Sequence, residues 1–265
     1  MMILLLTTSY AIAQKPLVWH KEKAAPGIRH WSVHTNQLFD SQQNINLLAV
    51  RKKREIAIGF EADSLKQTSA FAKEYHALAA VNAGFFDVKK GGSVTYLKVD
   101  NHAVSPTRNK KSENAEGAFI INKKGKILIE YAKGEEFYDT NEDYFSVLVT
   151  GPLLLLQGKK EPLQDNAFSN NRHPRTCACL QKNGRLLFLT IDGRAEPAQG
   201  MSLPELQDFL LQLKCKDAIN FDGGGSTTMW LAKEPENGVV NMPSDNKLFD
   251  RYGERRVANV ILIKK

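Results

Sequence analysis

Arg175-Thr-Cys-Ala-Cys-Leu180 and Arg185-Leu-Leu-Phe-Leu-Thr-Ile191 are two short apolar runs joined by Gln181-Lys-Asn-Gly184. Runs of this length, rich in apolar residues and closed off by turn residues, read as strands. Asn-Gly between two of them is the strongest short-range hairpin signal, because both residues tolerate positive φ. Downstream, Ser202-Leu-Pro-Glu205 is a capping box with proline in the first helical turn. Leu206, Phe209, Leu210 and Leu213 then recur at helical spacing and form one apolar stripe. Residues 217–221 read as another strand, so strand, helix and strand in that order predict a right-handed crossover within a mixed sheet. Upstream strands are expected at 45–50, 55–60, 77–82, 93–99, 117–122 and 126–131, and others at 153–157, 227–231 and 256–263. One further helix is expected at 64–75. The pattern predicts an α/β (α+β) protein: mixed, largely antiparallel sheets with few flanking helices, in a single domain over 14–265. Within it, 14–79 add strands and 80–265 carry the motifs. The polar segments 100–116, 158–174 and 232–255 are too long for plain connectors and are expected to roof a site at the strand ends.

The chain has 265 residues, 42% hydrophobic and 25% charged, which excludes a disordered, collagen-like or disulfide-scaffolded protein. Lys plus Arg is 36 and Asp plus Glu 29, giving +7. That balance raises nucleic acid, an anionic membrane surface or an acidic small molecule as partners. Arg51-Lys-Lys-Arg54 is the only basic tetrad; Lys89-Lys90, Lys110-Lys111, Lys123-Lys124 and Lys159-Lys160 fall largely at apparent turns. No stacking aromatics accompany them and no helix-turn-helix or zinc-finger spacing occurs, so they read as solvated turns and no nucleic acid is expected.

Ile3-Leu-Leu-Leu6 leads to Ala11-Ile-Ala13. An apolar stretch ending in Ala-x-Ala has the form of a signal peptide, here over 1–13 and without its basic start. The protein is therefore expected to be exported, periplasmic or extracellular, with no membrane span. For Cys177, Cys179 and Cys215, a bridge from Cys215 to either strand cysteine and buried free thiols both fit. His30 and His34 have helical ligand spacing, but Trp31-Ser-Val33 reads as strand, so neither a metal nor a cofactor is expected.

Asp222-Gly-Gly-Gly-Ser-Thr-Thr228 stands at a strand end, where three glycines cost backbone entropy and have no evident packing use. They let the main chain approach a ligand and offer the N–H groups of Gly223, Gly224 and Gly225, with Ser226 and Thr227, as an anion nest. No Gly-Lys-Ser/Thr follows, so this is not a P-loop. Ser226 also lacks the second flanking glycine of a nucleophile elbow. Thr190-Ile-Asp-Gly-Arg194 ends another strand with a carboxylate and a guanidinium. Arg172-His-Pro-Arg-Thr176 sets two guanidiniums and an imidazole at the start of a strand. Arginine forks match phosphate oxygens, so this stretch reads as an anion clamp. Val81-Asn-Ala-Gly-Phe-Phe-Asp87 brackets aromatics with Asn82 and Asp87, the mix of a sugar site.

With Gly151-Pro-Leu-Leu154, Gly200-Met-Ser-Leu-Pro-Glu205, Pro243-Ser244 and Glu254-Arg-Arg-Val-Ala-Asn259, these stretches in this order resemble the phosphodiester glycosidase family. The likeness covers 80–265 well and the first third weakly. Cys177 and Cys179 stand where small or aliphatic residues are usual, and Phe221 replaces the common Leu. The resemblance implies hydrolysis of a sugar 1-phosphodiester, a small anionic glycan, at its anomeric C–O bond. The leaving phosphomonoester has a second pKa of about 6, so a strong general acid is less necessary than in ordinary glycosidases. Asp192 and Asp222 are then the candidates for base or nucleophile, and Arg172 and Arg175 for stabilising the departing phosphate. Substrate contacts are expected from Asn82, Phe85, Asp87, His173, Thr176, Arg194, Gly223, Gly224, Gly225, Ser226, Thr227, Ser244, Glu254, Arg255 and Asn259. Two other readings compete. A metal-dependent phosphodiesterase attacking phosphorus would want clustered histidines, and the six present are scattered. The other is a non-catalytic envelope glycan-binding protein.

Overall fold

The hairpin at Asn183-Gly184 forms. β14 (Arg175–Gln181) and β15 (Leu186–Ile191) pair antiparallel, with Arg175 opposite Ile191 and Leu180 opposite Leu186. In the computed structural model, which describes residues 16–106 and 114–265, this hairpin lies at the centre of an eight-stranded sheet. The expected signal peptide at 1–13 and Lys110-Lys111 fall outside the described residues. On one side of the hairpin the sheet continues through β3 (Ser41–Val50), β2 (Ile28–Leu38) and β1 (His20–Ala25). On the other it continues through β16 (Cys215–Asn220), β12 (Leu153–Leu156) and β13 (Lys159–Lys160).

A five-stranded sheet runs β10 (Ile127–Tyr131), β9 (Gly117–Ile121), β11 (Ser146–Thr150), β7 (Leu97–Val99) and β8 (His102–Ser105). A four-stranded sheet runs β17 (Met229–Leu231), β6 (Ala79–Asn82), β19 (Asn259–Ile263) and β4 (Ile56–Phe60). β18 (Arg256–Val257) and β5 (Lys66–Gln67) form a small ribbon. Four short α-helices, α1 (Thr68–Glu74), α2 (Glu135–Thr140), α3 (Ala167–Asn170) and α4 (Leu203–Gln212), and one 3₁₀ turn (Gly224–Ser226) complete the described residues.

Every strand pair described is antiparallel. α4 does carry the chain from β15 to β16, and these two strands run in the same direction. They do not pair, because β14 stands between them, antiparallel to both. The expected mixed sheet is thereby corrected to an antiparallel one, and the α/β label fits only loosely. The helix expected at 64–75 starts at Thr68, since Lys66 and Gln67 are drawn into pairing with Val257 and Arg256. The strand expected at 256–263 is broken at Ala258, whose carbonyl accepts the Glu61 N–H. β11 was not anticipated, because its apolar run continues through Gly151-Pro152 into β12 with no visible boundary.

The central strands are covered on both faces, and alternate side chains divide between them. Leu48, Val50, Phe188 and Ile219 pack with Phe119, Ile121, Val81 and Ile261 from the smaller sheets. Ile45, Leu47, Leu187 and Leu189 pack on Leu203, Leu206, Phe209 and Leu210 of α4. The capping box holds the start of α4: Ser202 accepts the Glu205 N–H, and Glu205 accepts the Ser202 N–H. Cys179 is bonded to Cys215, with Cα atoms 5.8 Å apart, and Cys177 remains a buried thiol. No helix among the described residues is long and apolar enough to cross a membrane. The outcome for function is directional: β15 and β16 end, and β3 and β14 begin, at one pole of the large sheet.

Candidate active site

Asp192 follows β15 directly, its N–H bonded to the Asn44 carbonyl at 2.9 Å. Its carboxylate is sealed by its own chain, with the residue 1% exposed. Asn241 Nδ2 donates to Oδ1 at 2.8 Å, while Asn44 Nδ2 at 2.7 Å and the Met242 N–H at 3.0 Å donate to Oδ2. Burial pushes the pKa up to about 6, outweighing the three donors, each of which favours the anion. Asn241 also donates to the Thr227 carbonyl and accepts the Met229 N–H. Asp192 thus fastens the long 232–255 segment to the glycine loop. Neither Asn44 nor Asn241 was anticipated. Asn44 closes the polar run Asp40-Ser-Gln-Gln-Asn44 just ahead of the apolar residues of β3, so nothing in the sequence singled it out.

Asp222 stands one residue beyond Phe221 at the end of β16. Its backbone is fixed on both sides: its N–H donates to the Ala83 carbonyl at 2.7 Å and its carbonyl accepts Asn82 Nδ2 at 2.6 Å. The residue is only half-buried. Desolvation is the largest influence and pushes the pKa up to about 6; the Ser226 hydroxyl, Arg255, the Gly223 N–H and Arg194 pull the other way. Both guanidiniums crowd the glycine loop. A Cβ on Gly224 would lie 2.9 Å from Arg194 Nη2, and one on Gly225 2.5 Å from Arg255 Nη2. Arg255 is steadied by Asp245, to which its Nε donates at 2.8 Å. Arg194 is exposed and left-handed (φ 65°), at the mouth of the site.

The glycines do have a packing use, which corrects the expectation. A Cβ on Gly223 would lie 2.5 Å from the Pro174 carbonyl oxygen, one on Gly193 2.9 Å from Pro174 N, and one on Gly200 2.4 Å from the His173 carbonyl oxygen. The two strand ends close on the His173-Pro174 turn backbone to backbone, with no room for side chains. Nor is the loop an open row of N–H donors. Gly224 N–H donates to Pro174, Ser226 N–H to Gly223 and Thr227 N–H to Gly224. Of the three glycine N–H groups, those of Gly223, which favours the Asp222 anion, and Gly225 have no main-chain acceptor among the described residues.

The expected clamp of Arg172 and Arg175 is also corrected. Arg175 is 1% exposed, its guanidinium spent on the carbonyls of Met201, Phe168 and Asn171 and stacked 5.1 Å over the Phe168 ring. Burial pulls its pKa down to about 10. Arg172 is captured by the capping-box carboxylate, donating from Nε to both Glu205 oxygens at 3.0 and 3.1 Å, and from Nη2 to the Phe39 carbonyl. His173 is half-buried, and burial with the nearby Arg175 and Arg194 charges lowers its pKa, so it stays neutral.

Several other expected contacts have structural partners. Asn82 is buried and accepts from Thr176 Oγ1 at 2.7 Å and from the Thr228 N–H at 3.0 Å, so Asn82 and Thr176 join β6 to β14. Asn259 accepts the Gly84 N–H. Glu254 accepts from the Ser69 N–H and hydroxyl, and so caps α1. Asp87 accepts the N–H groups of Lys89 and Lys90 in its own turn. Phe85 is half-buried and meets Phe168 edge-on at 6.4 Å. Ser244, also half-buried, adjoins Asp245 in the long segment. The structure therefore brings together Asp222, the glycine loop, Arg194 and Arg255, with Asp192 sealed behind them.

One group of acceptors among the described residues could hold a cation: Glu22, His30 and Glu234, whose ligand atoms lie within 4.8 Å of one another. It involves the β1–β2 hairpin and not the strand ends that carry the two aspartates.

The family model for phosphodiester glycosidases matches residues 75–264. The chain is 30% identical over 201 residues to N-acetylglucosamine-1-phosphodiester alpha-N-acetylglucosaminidase of Bos taurus, and 31% identical to that of Homo sapiens. Each alignment takes in 69% of this chain, which spans 36% and 37% of the length of these relatives. The fold is similar to the catalytic domain of the zebrafish enzyme of that name, auto-inhibited by its pro-peptide. There the TM-score is 0.71 at 20% identity, over 96% of this chain and 85% of the other. A hypothetical protein from Synechocystis aligns with TM-score 0.72 and 14% identity, over 94% of this chain and 64% of the other.

Proposed function

Because the chain belongs to the phosphodiester glycosidase family, we propose that it is a hydrolase cleaving the anomeric C–O bond of a sugar 1-phosphodiester. The products are free sugar and a phosphomonoester. The observation that carries this reading is Asp222, a half-buried carboxylate beside the guanidiniums of Arg194 and Arg255. With a pKa pushed up to about 6, Asp222 is ionised at neutral pH yet basic enough to take a proton from water. Water adds to the anomeric carbon and the C–O electron pair leaves with the phosphate oxygen. Arg194 and Arg255 stabilise the charge that builds there. Asp192 does not touch the substrate in this account. It positions Asn241 and Met242, and through them the roof over the loop.

We further propose an exported protein. A disulfide between Cys179 and Cys215 favours an oxidising compartment.

Hydrolysis of a synthetic sugar 1-phosphodiester in ¹⁸O-labelled water tests the reaction. The label is expected in the sugar. Label in the phosphate would mean attack at phosphorus, and no turnover with any sugar tried would favour a glycan-binding role.

A further inference from the structure

The basic residues that look dispersed along the chain converge in the fold. At the pole of the large sheet opposite Asp192 and Asp222, β3 runs out into Arg51-Lys-Lys-Arg54 and β14 into Lys182. β16 begins beside Lys216, and the β9–β10 hairpin brings Lys124 and Lys126. β14 has seven residues, so at ~3.3 Å per residue the two poles lie roughly 20 Å apart. The tetrad lies on the neighbouring hairpin: a Cβ on Gly184 would fall 2.2 Å from Lys52 Cε.

Between these turns opens a groove of about 850 Å³. Its floor is apolar, where Ile127, Leu156, Leu180 and Leu186 reach the mouth of the main core. Its rim carries eight lysines and arginines against Glu130 and Asp217. Lys133 pairs with Glu130 and Lys216 with Asp217. The other six, Arg51, Lys52, Arg54, Lys124, Lys126 and Lys182, have no carboxylate partner among the described residues. Tyr131, 50% exposed, stands on the same rim. Amphipathic rings of this kind suit a membrane–water boundary.

We propose that this groove docks the protein on a bilayer by taking up an anionic phospholipid, with the catalytic pole facing away from the membrane. Six uncompensated cations around one cavity create a local potential that selects a phosphate head group. The apolar floor distinguishes a lipid from a soluble polyanion, which would gain nothing from it. The inference is independent of the reaction proposed above.

Co-sedimentation with vesicles tests it. The protein is expected to bind phosphatidylcholine vesicles containing about one-third phosphatidylglycerol, and not pure phosphatidylcholine. Reversing four rim charges (Lys52→Glu, Lys124→Glu, Lys126→Glu, Lys182→Glu) should weaken binding by roughly 1000-fold. The same charge change at Lys21, Lys23, Lys89 and Lys90 should alter it by no more than about threefold at moderate salt. Ile127→Ser, assayed well below its melting temperature where it is fully folded, should weaken it about tenfold. Equal binding to neutral vesicles, or equal loss from both quadruple variants, would overturn the proposal. So would soluble polyphosphate competing fully while Ile127→Ser binds normally, which would mark a polyanion site instead.

Discussion

Asp192-Gly193 and Asp222-Gly223 are the same dipeptide at the same kind of place, the ends of two strands flanking β14. Both carboxylates are held near a pKa of about 6 by burial. They differ in what surrounds them. Asp192 is filled by three donors of its own chain, whereas Asp222 has its backbone clamped and its carboxylate turned toward Arg194 and Arg255. The arginines divide the same way: Arg172 and Arg175 are consumed by structure, and Arg194 and Arg255 are held beside the loop. A motif shows that a charge is needed, but its partners show what for.

The sealed side of this contrast should fail by unfolding and the open side by losing turnover. The largest stability effect is expected at Arg175. Arg175→Met leaves three carbonyls without their donor and should cost about 3–5 kcal/mol, read from urea denaturation. Replacing Cys179 and Cys215 together by serine should cost about 3–4 kcal/mol while folded protein keeps its turnover. On the open side, Arg194→Ala should lower kcat roughly 100-fold. It should leave stability within about 0.5 kcal/mol. A small effect sharpens the comparison most. Turnover should decline below about pH 6 as Asp222 gains a proton. Arg255→Met removes a cation that holds this pKa down, so the acid limb of the rate profile should move to higher pH.

The linkage has the opposite sign to that of an ordinary surface carboxylate. Because both aspartates bind protons more tightly folded than unfolded, stability should rise as pH falls from about 6 toward 4, and this gain is absent above pH 6. Substituting either aspartate should flatten that part of the stability profile.

Much of this was legible in residues. The Asn183-Gly184 hairpin, the Ser202–Glu205 cap and the strand-end placement of Asp192 and Asp222 follow from local rules, and the structure has them. The job of each polar residue was not legible, because it depends on neighbours far away in the chain. Arg172 finds Glu205, Asn82 finds Thr176, and Asp192 finds Asn44 and Asn241. The largely antiparallel character was legible, and the expected parallel component failed for a related reason. A strand–helix–strand order does not say whether a third strand lies between the two. The basic turns were individually bland, and only the topology gathers them at one pole.

The division of labour between the two aspartates is tested most directly by measuring kcat and melting temperature side by side for Asp222→Asn and Asp192→Asn. Asp222→Asn should lose at least about 1000-fold in kcat with a melting temperature at or above that of the parent. Asp192→Asn should melt lower, since an amide nitrogen now faces donors that need an acceptor. An Asp222→Asn protein that turns over like the parent, or that loses stability as Asp192→Asn does, would contradict the account.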